Sequence, residues 1–150
     1  MTTVHTRLSI LSDISQLHPR LRKEDRDEVM AMGLNPRTAL MGGYLNGECH
    51  TGLYGDTVIC MYGVVPETNG GRVWMLSCED IERHGLPVSR ITRKEIKRFS
   101  SQYPQIYNVV DTRNTMTIKW LKWLGFSFGA THLIGSSNQP FKEFVLWQCN

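Results

Sequence analysis

Cysteine and histidine are the residues of this 150-residue chain whose side chains most readily act as nucleophiles, bases or metal ligands. The four cysteines stand at positions 49, 60, 78 and 149, and none has the Cys-x-x-Cys spacing of a zinc ribbon or a dithiol redox motif. Cys49 and His50 are adjacent, but neighbouring residues of a strand point to opposite faces, which disfavours a shared metal or nucleophile site. Spacing places no histidine beside Cys78, so an inert thiol is the better interpretation there. The set fits the reduced thiols of a cytosolic protein.

The composition excludes several classes of protein. Apolar residues make up 41% and charged residues 21%, which is typical of a globular protein. No run of eighteen apolar residues occurs, so no membrane segment is expected, and the N-terminus lacks the pattern of a secretory signal. The net charge of +3 fits either a mildly basic surface or attraction to an anion such as a nucleotide phosphate. Without a basic run interleaved with aromatic residues, nucleic-acid binding has little support.

Hydrophobic periodicity and breaker residues predict seven strands and five helices. Ser12 is predicted to cap the first helix and Asn35 the third, while Gly33 and Gly125 are predicted to end the second and the fifth. The predicted strands are Val4–Leu8, Glu48–Leu53, Thr57–Val65, Arg72–Ser77, Ile106–Asp111, Phe126–Ile134 and Phe141–Cys149, and the predicted helices are Ser12–Leu17, Arg22–Met32, Pro36–Leu45, Val88–Gln102 and Thr115–Leu124.

This order of elements predicts an α+β fold with α/β/α layers. Residues 1–150 are expected to form one domain, because no linker-like tract divides them. The successive strands with short turns indicate a mixed, mostly antiparallel sheet of six to seven strands flanked by helices. The helix over 88–102 between two strands implies a central β-α-β crossover, which requires one locally parallel strand pair.

The segment from Asn114 to Phe126 links this architecture to a known family. Asn114 is predicted to cap the helix that follows, Gly125 to end it in the left-handed conformation, and Phe126 to enter the core. An Asn after the fifth strand, then a helix, then Gly–Phe resembles the GNAT family of acyl-CoA N-acyltransferases. The resemblance implies the GNAT fold and acetyl-CoA as a possible cofactor.

The chain also resembles a narrower group, the GNAT-like internal virion proteins of short-tailed, T-odd-like bacteriophages. The similar segments cover most of the chain after about residue 20 and are Gly33–Pro36, Gly63–Pro66, Val73–Ser77, Tyr107–Val110, Asn114–Phe126 and Phe141–Phe144. This resemblance implies a bacteriophage protein in the host cytoplasm, in the virion or in both, and not a secreted one. A phage or host protein is its implied partner, and the oligomeric state is left open.

In the GNAT family, a splayed fourth strand offers backbone groups to the cofactor's pantetheine arm. The resemblance assigns this role to Trp74, Met75, Leu76 and Ser77, with Asn114 as a further cofactor-binding residue.

The family's next loop, Arg/Gln-x-x-Gly-x-Gly/Ala, presents N–H groups to the pyrophosphate. With Arg83 as its first residue, Leu86 and Val88 stand where glycines are expected, and their side chains crowd a phosphate. The N–H groups of Val88, Ser89 and Arg90 are still predicted to face an anion. The alternative is that this segment simply begins a helix with a solvated basic face.

The resemblance also guides the search for catalytic residues. The family often has a tyrosine seven positions after the Asn, where it reprotonates the leaving thiolate, but Leu121 stands there and cannot transfer a proton. Glu79 and Asp80 follow the fourth strand, near the family's usual base, and are the candidate catalytic residues. Their alternative interpretation is two exposed acids in a loop.

Two functions from different classes follow from the sequence. The first is a phage accessory or internal virion protein that uses the GNAT fold as a binding or structural module, which the altered loop and Leu121 favour. The second is an active acetyl-CoA-dependent N-acetyltransferase acting on a host protein or a small amine.

Trp120 and Trp123, three positions apart on one helix face, are either core residues or an aromatic patch for a partner.

Overall fold

The computed structural model describes residues 2–148, which contain seven strands and five α-helices. The strands are β1 (Val4–Leu8), β2 (Glu48–Tyr54), β3 (Thr57–Glu67), β4 (Gly70–Ser77), β5 (Gln105–Asp111), β6 (Ser127–Ile134) and β7 (Gln139–Trp147), and the helices are α1 (Leu11–Leu17), α2 (Lys23–Ala31), α3 (Pro36–Asn46), α4 (Gly85–Gln102) and α5 (Thr115–Trp123). Short 3-10 turns at His18–Arg20 and Ile81–His84 precede α2 and α4. The predicted number and type of elements are therefore confirmed.

All seven strands form one sheet in the order β1-β2-β3-β4-β5-β7-β6. Every neighbouring pair is antiparallel except β4 and β5, which are parallel and joined by α4. This confirms the predicted mixed sheet and its central crossover. None of the described helices is long and apolar enough to cross a membrane.

The parallel pair is joined over a short distance only. Gly71 pairs with Ile106 and Arg72 with Tyr107, and beyond these two positions β4 and β5 separate. On its other side β4 stays paired with β3 as far as Ser77. The sheet therefore opens as a wedge between its fourth and fifth strands.

The core is centred on β3. Residues 58–65 of this strand are all buried, because helices cover both faces of the sheet at its middle. The same core includes Leu17 of α1, Leu40 of α3 and Phe99 of α4. A strand with one solvent-exposed face alternates apolar and polar residues, but β3 is buried on both faces. This explains the apolar run in this part of the sequence.

Several predicted helix ends are confirmed. The Asn35 side chain accepts a hydrogen bond from the N–H of Thr38 at 2.9 Å, and Gly33 and Gly125 have φ of 84° and 100°. The prediction for Ser12 is wrong, because α1 begins at Leu11. Asp13 provides the cap instead, with its carboxylate accepting the N–H of Ile10 at 2.9 Å.

Other boundaries differ from the predicted ones. α4 begins at Gly85 rather than Val88, because the preceding 3-10 turn runs directly into it. β7 ends at Trp147, and the part of its predicted range at Cys149 lies outside the described residues. Phe126 precedes β6 but is buried, as predicted, with its ring edge-on to Phe144 at 5.1 Å between centroids.

Candidate functional site

A cavity of about 620 Å³ fills the wedge between β4 and β5. The two strands supply its floor, and the helices α2 to α5 supply its walls. Such a site is typical of ligand pockets, which combine apolar walls with a few polar groups. The predicted cofactor residues Trp74, Met75, Leu76 and Ser77 all line it.

The edge of β4 that faces the cavity has one unused backbone position. Alternate residues of a strand direct their N–H and C=O to the same side, and Val73, Met75 and Ser77 face the wedge. The carbonyl of Val73 accepts from Asn108 at 2.8 Å, and Ser77 is bonded through its N–H to Asp25 at 2.8 Å and through its carbonyl to the N–H of Arg22 at 3.0 Å. Met75 is left to offer an N–H and a C=O to a bound amide.

A network of charged and amide side chains closes one end of the wedge. Arg22 donates to Asp25 at 2.7 Å and, through both terminal nitrogens, to the carbonyl oxygen of Asn114 at 3.2 Å. The Asn114 amide nitrogen in turn donates to Glu28 at 3.0 Å. Asn114, Arg22 and Asp25 are buried. The N–H of Asp111 also points to Glu28, at 3.4 Å.

The structure therefore corrects the predicted role of Asn114. It stands at the N-cap position of α5, but its side chain makes no capping hydrogen bond and is used in this network instead. It lies directly behind Arg22 and Glu28, which line the cavity.

Glu28 is the titratable group of this site with the properties of a base. Burial raises the pKa of its carboxyl to about 7, and the nearby acids Asp25 and Asp111 also raise it, while the hydrogen bond from Asn114 opposes the shift. A general base works best when its pKa lies near the working pH. A carboxylate with these properties in a cavity is a candidate catalytic group.

The two carboxylates proposed from the sequence lie elsewhere. Glu79 is exposed and lines a separate surface pocket together with Arg22, Glu24 and Arg113. Asp80 is also exposed, accepts a hydrogen bond from the Cys78 thiol at 3.0 Å and faces Arg83. Neither side chain enters the cavity, so their catalytic role stays a prediction from the sequence, and Glu28 is the better-placed base.

The turn that leads into α4 does not form the expected anion cradle. The N–H groups of Ile81, Arg83 and Gly85 each donate to the carbonyl three residues earlier, and Pro87 has no N–H. From Val88 onward each N–H belongs to the helix ladder. Within this stretch of the described chain, no row of adjacent free N–H groups remains for a pyrophosphate.

The side chains of the same region divide into two groups. Val88 and Ser89 line the cavity, whereas Arg83 and Arg90 are exposed and point away from it. Leu86 is 65% exposed, so it adds apolar surface where the family's loop has a glycine. α4 starts three residues earlier than expected, so Val88, Ser89 and Arg90 lie within the helix, and the predicted contact of their N–H groups with an anion stays a prediction.

α5 contributes the opposite wall. Leu121 is buried in the core, as is appropriate for its side chain, and Trp120 lines the cavity. Trp123 is 48% exposed, and the Arg93 guanidinium lies 4.1 Å from its ring centroid. Trp120 therefore faces the cavity and Trp123 faces outward, and the aromatic patch for a partner stays a prediction.

Trp74 is the largest side chain that β4 directs into the site. Its ring packs against Gly43 of α3, which has no side chain to displace it. Among the described residues its indole N–H is the one buried side-chain donor without a hydrogen-bond partner. Trp74 lines the cavity, while the indole N–H itself is buried.

Two further clusters resemble functional sites but have structural explanations. Glu48, His50 and Glu95 lie close enough to hold a metal ion, but Arg98 already bonds to both acids and lowers the pKa of Glu48. This cation makes the cluster an ion-pair network between β2 and α4. Burial raises the pKa of Cys78 to about 11, which keeps its thiol protonated, as expected for an inert thiol.

Sequence reasoning missed Glu28, because the acids of a helix with one apolar side are expected to face solvent. In the structure Asp25 and Glu28 face inward beside Val29, while Met30 is 60% exposed. The available signal was the spacing of three between the two acids, which places them on one helix face with Val29.

The comparisons with solved structures identify the fold. The ribosomal-protein-S18-alanine N-acetyltransferase from Escherichia coli superposes with a TM-score of 0.71 at 9% identity over 99% of this chain and 96% of that one. Ard1 from Thermoplasma volcanium gives 0.71 at 13% identity, with 98% and 99% covered. Spermidine N-acetyltransferase from Vibrio cholerae, solved with CoA and spermine, gives 0.69 at 14% identity, with 97% and 95% covered. No protein-family model and no curated protein sequence matches the chain. The chain has the GNAT acetyltransferase fold.

Proposed function

We propose that this protein transfers an acyl group from a pantetheine thioester of the acetyl-CoA class to an amine, with Glu28 as the general base. The observation that carries the proposal is a partly buried carboxylate with a pKa of about 7 in the wedge between β4 and β5. The likeness of the fold to N-acetyltransferases, one of them solved with CoA, supports the same chemistry.

Residues of the chain account for binding and proton transfer. The thioester, when bound, supplies an activated acyl carbon. Met75 offers backbone groups to the amide bonds of the pantetheine arm, and the Asn114 amide holds Glu28 in place. Glu28 takes the proton that the amine loses as its nitrogen bonds to the acyl carbon and the carbon–sulfur bond breaks. A thiol has a pKa of about 8.5 and leaves readily as the thiolate, which solvent can protonate, so Leu121 is compatible with the reaction.

Acetyl transfer from millimolar acetyl-CoA to spermidine and to a peptide with a free N-terminus tests the proposal, with thiol release as the readout. Glu28→Gln is expected to lower kcat/KM roughly 100-fold or more, the usual contribution of a general base. Asp27→Asn, on the same helix but paired with Lys23 at the surface, is the matched control and should keep full activity. Below pH about 7, the activity of the wild type should fall with the ionised fraction of Glu28.

An unchanged kcat/KM in Glu28→Gln, or a pH profile that is flat between pH 5 and 8, would contradict Glu28 as the base. The circular dichroism of both variants should match that of the wild type, so that a loss of activity is not a loss of fold.

A binding module of a short-tailed phage particle is the second candidate function. Its specific support is the closed turn before α4, which leaves a pyrophosphate no backbone cradle, together with the resemblance of the sequence to phage internal virion proteins. A thermal-shift titration separates the two candidates. No stabilisation by millimolar acetyl-CoA and detection of the protein in purified particles would favour the module, whereas stabilisation abolished by Ser89→Asp would favour the enzyme.

A further inference from the structure

The outward face of α4 is a stripe of cations. Arg90, Arg93, Lys94 and Lys97 follow the i, i+3, i+4, i+7 spacing that places residues on one side of a helix. All four are exposed. Unlike Arg98 at the inner edge of the helix, which is bonded to Glu48 and Glu95, they extend into solvent.

α5 extends this stripe across the neighbouring surface. Lys119 and Lys122 are exposed, and contact between Arg93 and the Trp123 ring joins the two helices. The basic face, as we name it, consists of Arg90, Arg93, Lys94, Lys97, Lys119 and Lys122.

The charge of the molecule is concentrated on these two helices. α4 and α5 hold seven of the chain's 17 Lys and Arg residues but one of its 14 acids, Glu95, which is already bonded to Arg98. The remainder of the chain is therefore net negative, although the whole carries +3. A local field of this kind steers acidic partners to one face.

The basic face flanks the cavity. Ser89 and Thr92 of α4 line one wall, and Thr117 and Trp120 of α5 line the other, so the cavity runs between the same two helices. In the wedge, the backbone N–H and C=O of Met75 are free to bond a pantetheine arm. The closed turn before α4, however, offers no backbone cradle for the pyrophosphate of CoA. The site thus suits the arm of the donor better than its nucleotide.

We propose that the acyl donor is a pantetheine thioester carried by an acidic protein, which docks on the basic face and extends its arm between α4 and α5. This inference rests on the proposed acyl transfer. The amine nitrogen bonds to the acyl carbon, the carbon–sulfur bond breaks, Glu28 accepts the amine proton, and the sulfur remains on the carrier and leaves as its thiol after protonation by solvent. Charge complementarity between the basic face and the acidic carrier takes the place of the recognition that the nucleotide provides when the donor is CoA.

Steady-state kinetics with three acetyl donors test the inference: acetyl-pantetheine, acetyl-CoA and an acetylated acidic carrier protein bearing a phosphopantetheine arm. Acetyl-CoA and acetyl-pantetheine should give kcat/KM values within about threefold of each other, because the nucleotide makes no specific contact. The carrier should exceed both by about tenfold or more at low salt, and this advantage should shrink as salt screens the field.

Charge reversal identifies the docking surface. Lys94→Glu combined with Lys97→Glu should lower kcat/KM for the carrier about tenfold and leave acetyl-pantetheine unchanged. Arg37→Glu, an exposed cation on α3, is the matched control and should leave both donors unchanged.

Three outcomes would overturn the inference. An acetyl-CoA value ten times that of acetyl-pantetheine would show that the nucleotide is recognised, while the proposed acyl transfer would stand. A carrier that is no better than acetyl-pantetheine, or that is insensitive to the charge reversal, would remove the docking surface. Turnover of none of the three donors would reject the acyl transfer together with the inference.

Discussion

At the scale of single residues, the orientation of the Asn114 amide decides the chemistry of the site. Arginine can only donate hydrogen bonds, so the amide oxygen of Asn114 must face Arg22, and its NH₂ group must face Glu28. The amide therefore links the guanidinium to the carboxylate without bringing them into contact. A direct ion pair with Arg22 would lower the pKa of Glu28, whereas the two neutral hydrogen bonds from Asn114 and the Asp111 N–H leave the effect of burial dominant.

The raised pKa of Glu28 predicts a particular dependence of stability on pH. The folded protein holds the proton up to pH about 7, whereas the ordinary value is 4.5. Its contribution to stability is thus greatest below pH 4.5 and is lost as the pH rises through 7, by up to about 3 kcal/mol. Glu28→Gln cannot ionise, so its unfolding free energy relative to wild type should increase between pH 4.5 and 8.

Urea denaturation of the wild type and of Glu28→Gln across this pH range measures the difference between their unfolding free energies. The contributions of all other titratable groups cancel in this difference. A stability difference that is constant with pH would mean that Glu28 titrates at its ordinary value when folded. In that case burial does not tune its carboxyl.

At the scale of elements, the contact between α3 and β4 sets one wall of the cavity. A methyl group added at Gly43 would overlap the Trp74 ring, whereas one added at Gly42 meets no atom within 4 Å. The two glycines are neighbours in one helix, so replacement by alanine gains the same helix propensity at both. Gly42→Ala should raise the unfolding free energy by about 0.5–1 kcal/mol. Gly43→Ala should lower it by about 1–3 kcal/mol, because the ring must move.

Chemical denaturation gives both values, and Trp74→Leu in the Gly43→Ala background provides the internal control. This second change removes the overlapping ring, so part of the lost stability should return. Equal stabilisation by the two alanines would contradict the packing of α3 on Trp74.

The same elements show which features the sequence predicts. Gly33, Gly125 and Asn35 act through local backbone geometry, and their predicted roles are confirmed. Asn114 was predicted as a cap by the same local rule, but its partners Arg22 and Glu28 are more than 80 positions away. Local rules cannot anticipate such a contact. The network around the candidate base depends on such contacts, whereas the wall formed by β4 was found through the resemblance of one continuous segment to a family.

At the scale of the whole molecule, the wedge divides the sheet into two parts. β1 to β4 form one part and β5, β7 and β6 the other, joined directly by the two paired positions of β4 and β5. A site in this wedge has a cavity while the strand pairing within each part stays continuous. The cost is a sheet whose hydrogen-bonded ladder is interrupted at its middle, so stability should differ between the two parts.

Hydrogen exchange should reveal this difference as unequal protection of β3 and β6. β3 is paired on both sides and buried over residues 58–65, so its amides should exchange through global unfolding. β6 is an edge strand with mostly exposed side chains and a register shift between Phe128 and Thr131, so local opening should expose its amides about 100-fold more often. β1, the other edge strand, has an unbroken register with β2 and serves as the control with intermediate protection. Protection of β6 equal to that of β3 would contradict this prediction. It would show that the two parts of the sheet unfold together, in one cooperative step.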